Sequence, residues 1–124
     1  MKKTVMDTNF LLLPYQYGVD VFGQLKELVP DGEIIVGSCI LNELKKLAKN
    51  KGKTGSAARL ALKILRLQKV NVVETGLPAD RWIFSYARSY RASVCTNDRG
   101  LRQRIKRLRL KCIVLKRRKR LGWG

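Results

Sequence analysis

A chain of 124 residues is long enough for one domain with a single hydrophobic core, and its 45% apolar content is that of a globular protein rather than a disordered basic tail. Its net charge of +18, with only nine acidic residues, predicts a polyanionic partner, with nucleic acid favoured over a membrane surface. The absence of histidine excludes Ser-His-Asp catalysis, paired-imidazole ribonuclease chemistry and most zinc sites.

The cysteines and the start of the chain give expectations about the compartment. Cys39, Cys95 and Cys112 are odd in number and set among apolar residues, which is typical of core thiols in a reducing compartment. Asp7 and Asn9 interrupt the first apolar stretch, so no signal peptide is predicted. No run approaches the roughly 18 apolar residues of a membrane span. We therefore expect a cytoplasmic protein without membrane contact.

The first part of the chain alternates predicted strands and helices. A short strand, Thr4–Met6, ends on the polar run Asp7-Thr8-Asn9. A helix begins near Asp20, and Pro30-Asp31-Gly32 closes it. The next strand, Ile34–Val36, is continuously apolar, which is typical of a buried parallel sheet.

The alternation continues to the end of the chain. Ser38 is expected to cap a helix that extends to Ala48, and the polar stretch Asn50–Ser56 predicts a loop. Three more helices are predicted, at about 57–68, from Asp80 onward and at Asp98–Leu108. A strand is predicted after each of them, at 70–73, Ser93–Thr96 and Cys112–Leu115 respectively.

This order of elements predicts an α/β protein. The expected architecture is a three-layer α/β/α sandwich around a mainly parallel sheet of about five strands. Residues 1–116 are predicted to form a single domain. Residues 117–124 are predicted to form a basic C-terminal tail that stays disordered until RNA binds.

Asp98 is the first candidate functional residue. It lies in Thr96-Asn97-Asp98-Arg99-Gly100-Leu101, where a strand ends and a helix begins, and strand ends of this kind form the ligand-binding rim of α/β proteins. Taken alone, a helix N-cap would explain it. However, Asp98 precedes Leu101 by three residues and Ile105 by seven, which predicts that it faces the buried side of its helix.

Three further acids are candidates for the same site. Asp7 ends the first strand, Glu43 flanks the apolar stripe of its helix, and Asp80 opens a helix with apolar inward positions. The alternatives are a turn or cap for Asp7, a solvated helix face for Glu43 and a cap for Asp80. Caps, turns and exposed positions account for the remaining acids, which are Asp20, Glu27, Asp31, Glu33 and Glu74.

A cluster of four acids needs a cation, because carboxylates close together disfavour one another's ionisation. Mg²⁺ and Mn²⁺ prefer carboxylate oxygens and keep some of their waters. Such a site can activate a water molecule and hold a scissile phosphate. The residues therefore predict a metal-dependent nuclease.

The sequence resembles the PIN domain family over nearly its whole length. The resemblance is carried by Met6-Asp7-Thr8-Asn9, by Leu41-Asn42-Glu43-Leu44-Lys45-Lys46-Leu47, by Asp80 with Ile83 and Ala87, by Thr96-Asn97-Asp98-Arg99-Gly100-Leu101-Arg102 and by Val114-Leu115-Lys116-Arg117-Arg118-Lys119. The last segment is similar to the final strand of the archaeal and eukaryotic rRNA-processing branch. VapC-type toxins are relatives of that branch.

The resemblance implies a metal-dependent endoribonuclease in which Asp7, Glu43, Asp80 and Asp98 hold Mg²⁺ or Mn²⁺ and carry catalysis. Thr8, Asn9, Thr96 and Asn97 match the flanking polar positions of the family. They are expected to orient the carboxylates or a bound water.

Two blocks of basic residues are predicted to bind RNA. Residues 45–69 contain nine Lys and Arg residues and residues 99–124 contain twelve, and neither block contains an acid. Solvated helix faces usually mix charge signs, so single-sign blocks indicate phosphate contacts. The candidates are Lys45, Lys46, Lys49, Lys51, Lys53, Arg99, Arg102, Arg104, Lys116, Arg117, Arg118, Lys119 and Arg120. Trp123 is expected to stack on a base or to contact a partner chain, whereas Trp82, Tyr86 and Tyr90 are expected in the core or an interface.

The predicted function is RNA cleavage in the processing of an rRNA precursor, which follows from the resemblance. Two alternatives remain: a VapC-type toxin held by an antitoxin, and a non-catalytic ribosome-associated RNA-binding protein. The corresponding partners are structured RNA such as pre-rRNA, a second copy of the chain, and an antitoxin or a ribosome-assembly protein.

Overall fold

A computed structural model describes residues 2–124 and contains six strands and seven helices in that range. The strands are β1 (Lys3–Met6), β2 (Glu33–Gly37), β3 (Asn71–Val73), β4 (Ser93–Cys95), β5 (Cys112–Lys116) and β6 (Arg120–Trp123). The helices are α1 (Thr8–Leu11), α2 (Leu13–Tyr17), α3 (Val21–Leu28), α4 (Ser38–Leu47), α5 (Lys53–Leu67), α6 (Ala79–Tyr90) and α7 (Arg99–Arg107). None of these helices has the length and apolarity needed to cross a membrane.

The six strands form one sheet in the order β3-β2-β1-β4-β5-β6. The first five strands in this order are parallel, and β6 pairs antiparallel with β5. From β1, the chain adds β2 and then β3 on one side of the sheet. It then crosses to the other side of β1, where it adds β4 and then β5. Because parallel crossovers are right-handed, this reversal places α1–α5 on one face of the sheet and α6 and α7 on the other. The predicted α/β sandwich around a mainly parallel sheet is confirmed.

The core explains why the central strands are apolar throughout. Val5, Met6, Ile35, Val94 and Ile113 are fully buried because helices cover both faces of the sheet. The free thiols of Cys95 and Cys112 are also buried, and burial raises the pKa of both. These two cysteines therefore act as small apolar core residues.

The start of α4 differs from the prediction. Gly37 occupies the N-cap position, and Ser38 is already the first helical residue. The Ser38 hydroxyl donates to the Thr75 carbonyl oxygen at 3.2 Å and accepts from the Thr75 N–H at 2.9 Å. It therefore joins α4 to the loop between β3 and α6 instead of capping its own helix. The following loop is also shorter than predicted, since α5 begins at Lys53.

The C-terminal segment also differs from the prediction of a disordered tail. Residues 120–123 form β6, and Arg117 and Arg118 take the two left-handed positions of a tight hairpin turn. Leu121 is buried, its N–H donates to Gln24 Oε1 at 2.7 Å, and Gln24 Nε2 donates to the Lys119 carbonyl at 3.1 Å. These contacts to α3 order the segment despite its charge.

An ion pair joins the first two strands where they begin. Lys3 Nζ lies 2.7 Å from Glu33 Oε2, and Asn71 Nδ2 donates to Glu33 Oε1 at 2.7 Å. The hydrogen bond from Lys3, followed by that from Asn71, lowers the pKa of Glu33 below its ordinary value. The charged form of Glu33 is therefore favoured in the folded state.

We expect Glu33→Gln to destabilise the protein at pH 7 and to lose this effect in acid. A carboxylate with a lowered pKa contributes stability above its ordinary pKa, and that contribution disappears as the pH falls through the folded value. Urea unfolding of both proteins at pH 7 and pH 3 measures the two differences. Glu27→Gln is the control, since Glu27 is exposed and has no ion pair within residues 2–124. An equal difference at both pH values would contradict the prediction.

Candidate functional site

The candidate site lies at the carboxyl edge of the sheet, where the parallel strands end. Asp7 directly follows β1, and Thr96 directly follows β4. These two strands are neighbours, and the chain connections diverge on either side of them. The point where strand order reverses leaves a crevice between diverging connections, which is the usual ligand site of open α/β sheets.

Asp7 is the buried centre of this site, with 7% of its surface exposed. Its Oδ1 atom accepts from the Thr8 N–H at 2.7 Å and so caps α1, while its Oδ2 atom accepts from the Thr96 hydroxyl at 2.8 Å. Burial raises the pKa of Asp7 above the ordinary carboxyl value. The hydrogen bonds from Thr96 and Thr8 oppose this rise, and the negative charges of Asp80 and Asp98 add to it.

Two threonines connect Asp7 to other acids. The Thr8 hydroxyl donates to Glu43 Oε2 at 2.9 Å, which links α1 to α4. The Thr96 hydroxyl accepts from the Asp98 N–H at 3.0 Å. One hydrogen-bonded chain therefore runs from Glu43 through Thr8, Asp7 and Thr96 to Asp98. We call these five residues the acidic network.

The sequence predicted that these acids face inward, but three of the four are exposed. Only Asp7 is buried, whereas Glu43, Asp80 and Asp98 are exposed. Asp98 caps α7 by accepting from the Leu101 N–H at 3.1 Å, and Asp80 lies in the first turn of α6. Asp80 and Asp98 lie at the starts of α6 and α7, and Glu43 lies on the solvent-exposed side of α4.

The predicted flanking residues have different contacts. Thr8 and Thr96 each bond a carboxylate, as described above. Asn97 instead accepts from the Leu115 N–H at 2.9 Å through Oδ1, which fastens the loop after β4 to β5. Asn9 is exposed, and its side chain has no hydrogen bond within residues 2–124. No sequence pattern predicted the Asn97 contact, because its partner is a backbone group on another strand.

Glu43, Asp7, Asp80 and Asp98 have no basic partner in the part of the chain that the structure describes. The single ion pair there is Lys3–Glu33, although the chain contains 27 Lys and Arg residues. No three Asp, Glu or Cys side chains within residues 2–124 are close enough to form a preassembled cation site. The oxygens present are those of carboxylates and hydroxyls, which suit Mg²⁺ or Mn²⁺ and not softer metals.

The predicted RNA-binding residues lie mostly on open surface. Those in the first block, at the end of α4, in the following loop and at the start of α5, are exposed; they are Lys45, Lys46, Lys49, Lys51 and Lys53. Arg99 and Arg104 on α7 are also exposed, and the Arg104 guanidinium lies 4.7 Å from the centre of the Phe84 ring. Arg102 is half-buried, and its Nε atom has no hydrogen-bond partner within residues 2–124.

The hairpin between β5 and β6 brings further positive charge to the carboxyl edge. Lys116, Arg117, Arg118, Lys119 and Arg120 are all exposed. Because β5 is parallel to β1 and β4, its end and the hairpin turn lie at the same edge as Asp7. Arg118 also lies over the exposed ring of Tyr17, 5.4 Å from its centre. The contacts of Tyr17 and Gln24 with this hairpin are absent from the sequence prediction.

Comparison with known proteins gives two relatives in sequence. The chain is 36% identical to Ribonuclease VapC9 of Archaeoglobus fulgidus over 118 residues, which cover 94% of this chain and 85% of that protein. It is 29% identical to the rRNA-processing protein FCF1 of Saccharomyces cerevisiae over 111 residues, which cover 86% of this chain and 55% of that protein. The match to FCF1 thus spans about half of the yeast protein.

Solved structures and a family model give the same result. The PIN domain endonuclease Utp24 matches with a TM-score of 0.79 and 25% identity, over 97% of this chain and 90% of that chain. VapBC2 from Rickettsia felis, solved with a DNA fragment from its promoter, matches in fold with a TM-score of 0.64 and 18% identity, over 92% of this chain and 99% of that chain. The family model described as PIN like domain matches residues 4–118. The chain therefore belongs to the PIN-like domain family.

Proposed function

We propose that this protein is a Mg²⁺- or Mn²⁺-dependent endoribonuclease whose active site is built from Asp7, Glu43, Asp80 and Asp98. The observation that carries the proposal is the acidic network at the strand-order reversal, since its carboxylates have no basic partner in a protein of net charge +18. Such uncompensated carboxylates favour cation binding, because a cation lowers their mutual repulsion. The activities of VapC9 and Utp24 support the same conclusion.

The oxygen donors at the carboxyl edge fit a hard divalent cation. Asp7, with Asp80 and Asp98 close enough to influence its pKa, would hold the ion, and Glu43 would complete the set from α4. When bound, such an ion lowers the pKa of water and stabilises charge on the scissile phosphate.

The protein's own contribution is to position these carboxylates. The Thr8 N–H and the Thr96 hydroxyl fix both oxygens of Asp7, so its carboxylate cannot rotate freely. The Thr8 hydroxyl holds Glu43, and the cap of α7 orients Asp98. Ligands held in this way lose less conformational entropy when a cation or substrate binds.

RNA would reach this edge along the basic surfaces on both sides of the acids. Phosphates would contact Lys45, Lys46, Lys49, Lys51 and Lys53 on one side. Arg99, Arg102, Arg104 and the basic hairpin would contact them on the other. These contacts are electrostatic, so binding should weaken steeply with salt.

We assign the enzyme to the processing of an rRNA precursor, because its relative FCF1 is an rRNA-processing protein. The second candidate is a toxin ribonuclease held by an antitoxin, which the 36% identity to VapC9 favours. Inhibition by the product of an adjacent small reading frame would distinguish the second candidate from the first.

The purified protein should cut structured RNA internally when Mg²⁺ or Mn²⁺ is present and should be inactive in EDTA. The products should carry 5′-phosphate and 3′-hydroxyl ends, because water rather than the 2′-hydroxyl is the proposed nucleophile. End-labelled RNA resolved on gels, with phosphatase treatment of the products, measures both features. Cleavage in EDTA or 2′,3′-cyclic phosphate products would contradict the mechanism. RNA binding without cleavage under every metal condition would favour a non-catalytic RNA-binding protein.

A further inference from the structure

A second surface with the chemistry of a binding site lies at the amino edge of the sheet, opposite the acidic network. A groove of about 1110 Å³ opens there beside the starts of β1, β4 and β5 and the end of β6. Because β1 is four residues long, the groove lies about 13 Å from Asp7 along the strand. Its volume lies near the upper end of the roughly 300–1,000 Å³ of ligand pockets, so a segment of a longer ligand can fit there.

The groove has a strongly positive lining. Five basic residues line it against a single acid, Asp31; they are Lys2, Lys3, Arg91, Arg109 and Lys111. Of these, Lys3 is paired with Glu33, whereas Lys2, Arg91, Arg109 and Lys111 are exposed and have no ion pair within residues 2–124. Charge complementarity therefore favours a polyanion as the occupant.

Two aromatic rings are exposed in the same groove. Tyr90 is 58% exposed and Trp123 is 39% exposed, and both line the groove. Lys3 Nζ lies 5.6 Å from the centre of the Tyr90 ring, and Lys111 Nζ lies 5.4 Å from the centre of the Trp123 ring. The Tyr90 ring is already stacked on Tyr86, with ring centres 4.4 Å apart. Trp123 contacts no other aromatic ring within residues 2–124, so it is the ring on which a base can stack, with Lys111 close enough to contact a phosphate.

The backbone at two of the basic residues makes them suitable for substitution. Arg91 follows α6 with a φ of 51°, and Arg109 follows α7 with a φ of 61°. Glycine is the usual residue at such left-handed helix ends, since a side chain there is sterically disfavoured. Both arginines line this groove, so glycine can remove their charge without disturbing the helix ends.

We propose that the amino-edge groove is a second nucleic-acid site that binds single-stranded RNA. An unpaired base stacks on Trp123, and phosphates contact Arg91 and Arg109. The choice of RNA as the polyanion rests on the proposed function, but the site is separate from the acidic network. It would hold a flanking single strand of a substrate whose scissile bond lies at the carboxyl edge.

The double variant Arg91→Gly/Arg109→Gly tests the phosphate contacts without damaging the fold. Glycine relieves the left-handed strain, so the melting temperature should stay the same or rise. Binding of a single-stranded RNA in EDTA should nevertheless weaken at least threefold. The salt dependence should flatten by about 1.4 log-slope units, or about 0.7 for each lost phosphate contact. The matched control is Lys26→Gln/Arg88→Gln, which removes the same charge from exposed positions on α3 and α6, outside the groove and both basic blocks.

Tryptophan fluorescence tests the stacking contact. The chain has two tryptophans, of which Trp82 is 4% exposed and Trp123 is 39% exposed, so quenching by RNA reports mainly on Trp123. Trp123→Phe should abolish the quenching and keep most of the affinity. Trp123→Ala should weaken binding about fivefold or more, since stacking on an aromatic ring contributes about 1–3 kcal/mol per base.

Equal weakening by the groove variant and the Lys26→Gln/Arg88→Gln control would show a general charge effect and would overturn the proposal. Binding of poly-glutamate as tight as that of RNA at matched charge would also overturn it, since an acidic protein would then fit equally well. If the proposal about the groove is wrong, RNA cleavage at the carboxyl edge should still be observed. If instead the wild type never cleaves RNA but the groove variants still bind RNA more weakly, the proposed enzyme function is wrong and the groove remains a binding site for RNA.

Discussion

The variant Asp7→Asn should lose RNA cleavage by about 100-fold or more while it keeps its fold and its affinity for RNA. Asp7 is the buried centre of the acidic network, and the change removes its negative charge. Without that charge, divalent-ion affinity should fall, because a neutral amide attracts a hard cation less strongly than a carboxylate does.

The fold should survive because asparagine keeps one hydrogen bond of Asp7 and replaces the other. Its Oδ1 atom can still accept from the Thr8 N–H and cap α1. Its amide can donate to the Thr96 hydroxyl oxygen, which reverses the direction of that bond and leaves the Thr96 hydroxyl hydrogen without its carboxylate acceptor. Burial and nearby acids disfavour the charged form of Asp7, and removal of that charge offsets this loss, so the metal-free variant should melt close to the wild type at pH 7.

Cleavage assays and thermal melts with and without Mn²⁺ measure these effects together. Mn²⁺ should raise the melting temperature of the wild type more than that of Asp7→Asn, since a ligand stabilises only the state that binds it. The control is Asp20→Asn, because Asp20 is also a helix N-cap and accepts from the Gly23 N–H of α3 at 3.0 Å. Full cleavage by Asp7→Asn, or an equal loss in the control, would mean that Asp7 is only a helix cap.

The variant Thr96→Val should lose both stability and cleavage. Valine has nearly the shape of threonine but cannot hydrogen bond, so Asp7 Oδ2 and the Asp98 N–H both lose their partner. Thr96 is fully buried, so we expect about 2–3 kcal/mol of destabilisation in metal-free buffer. Cleavage should fall about tenfold or more, because the carboxylate of Asp7 is no longer held in one orientation.

Thr96→Ser is the matched control for the hydroxyl. Serine keeps the hydroxyl and removes one methyl group, which should destabilise by about 1 kcal/mol. Its cleavage at a temperature well below its melting point should stay near that of the wild type. If Thr96→Ser and Thr96→Val cleave equally, the hydroxyl does not position the site and Thr96 serves packing alone.

The sequence predicted the positions of the five parallel strands well, although it missed β6, because burial on both faces leaves a simple signal. Continuous apolar runs such as Ile34–Val36 lie in the central strands, and the polar run after Thr4–Met6 marks the carboxyl edge. This pattern was sufficient to place Asp7 and Asp98 at one edge of the sheet. It could not predict their different burial, because both residues are helix N-caps after a strand and share the same local pattern.

Features that depend on contacts between distant residues escaped the sequence pattern. Gln24 orders the basic hairpin by bonds to Lys119 and Leu121, more than 90 residues away in the chain. Ser38 bonds Thr75, 37 residues away, although its local sequence suggested a helix cap. No periodicity or spacing rule encodes such pairs, because they form only when several elements have assembled.

The pairing of β1 with β4 also has a consequence for the time at which the site forms. The hydrogen bond between Asp7 and Thr96 joins residues 89 positions apart, and β2, β3 and α6 intervene. Closing so long a loop is entropically unfavourable, and folds rich in such distant contacts assemble slowly. On a ribosome, Asp7 would emerge long before Thr96 is synthesised. The carboxylates would therefore come together only in the last stages of folding, and a nascent or partly folded chain would have no site with which to cut the RNA around it.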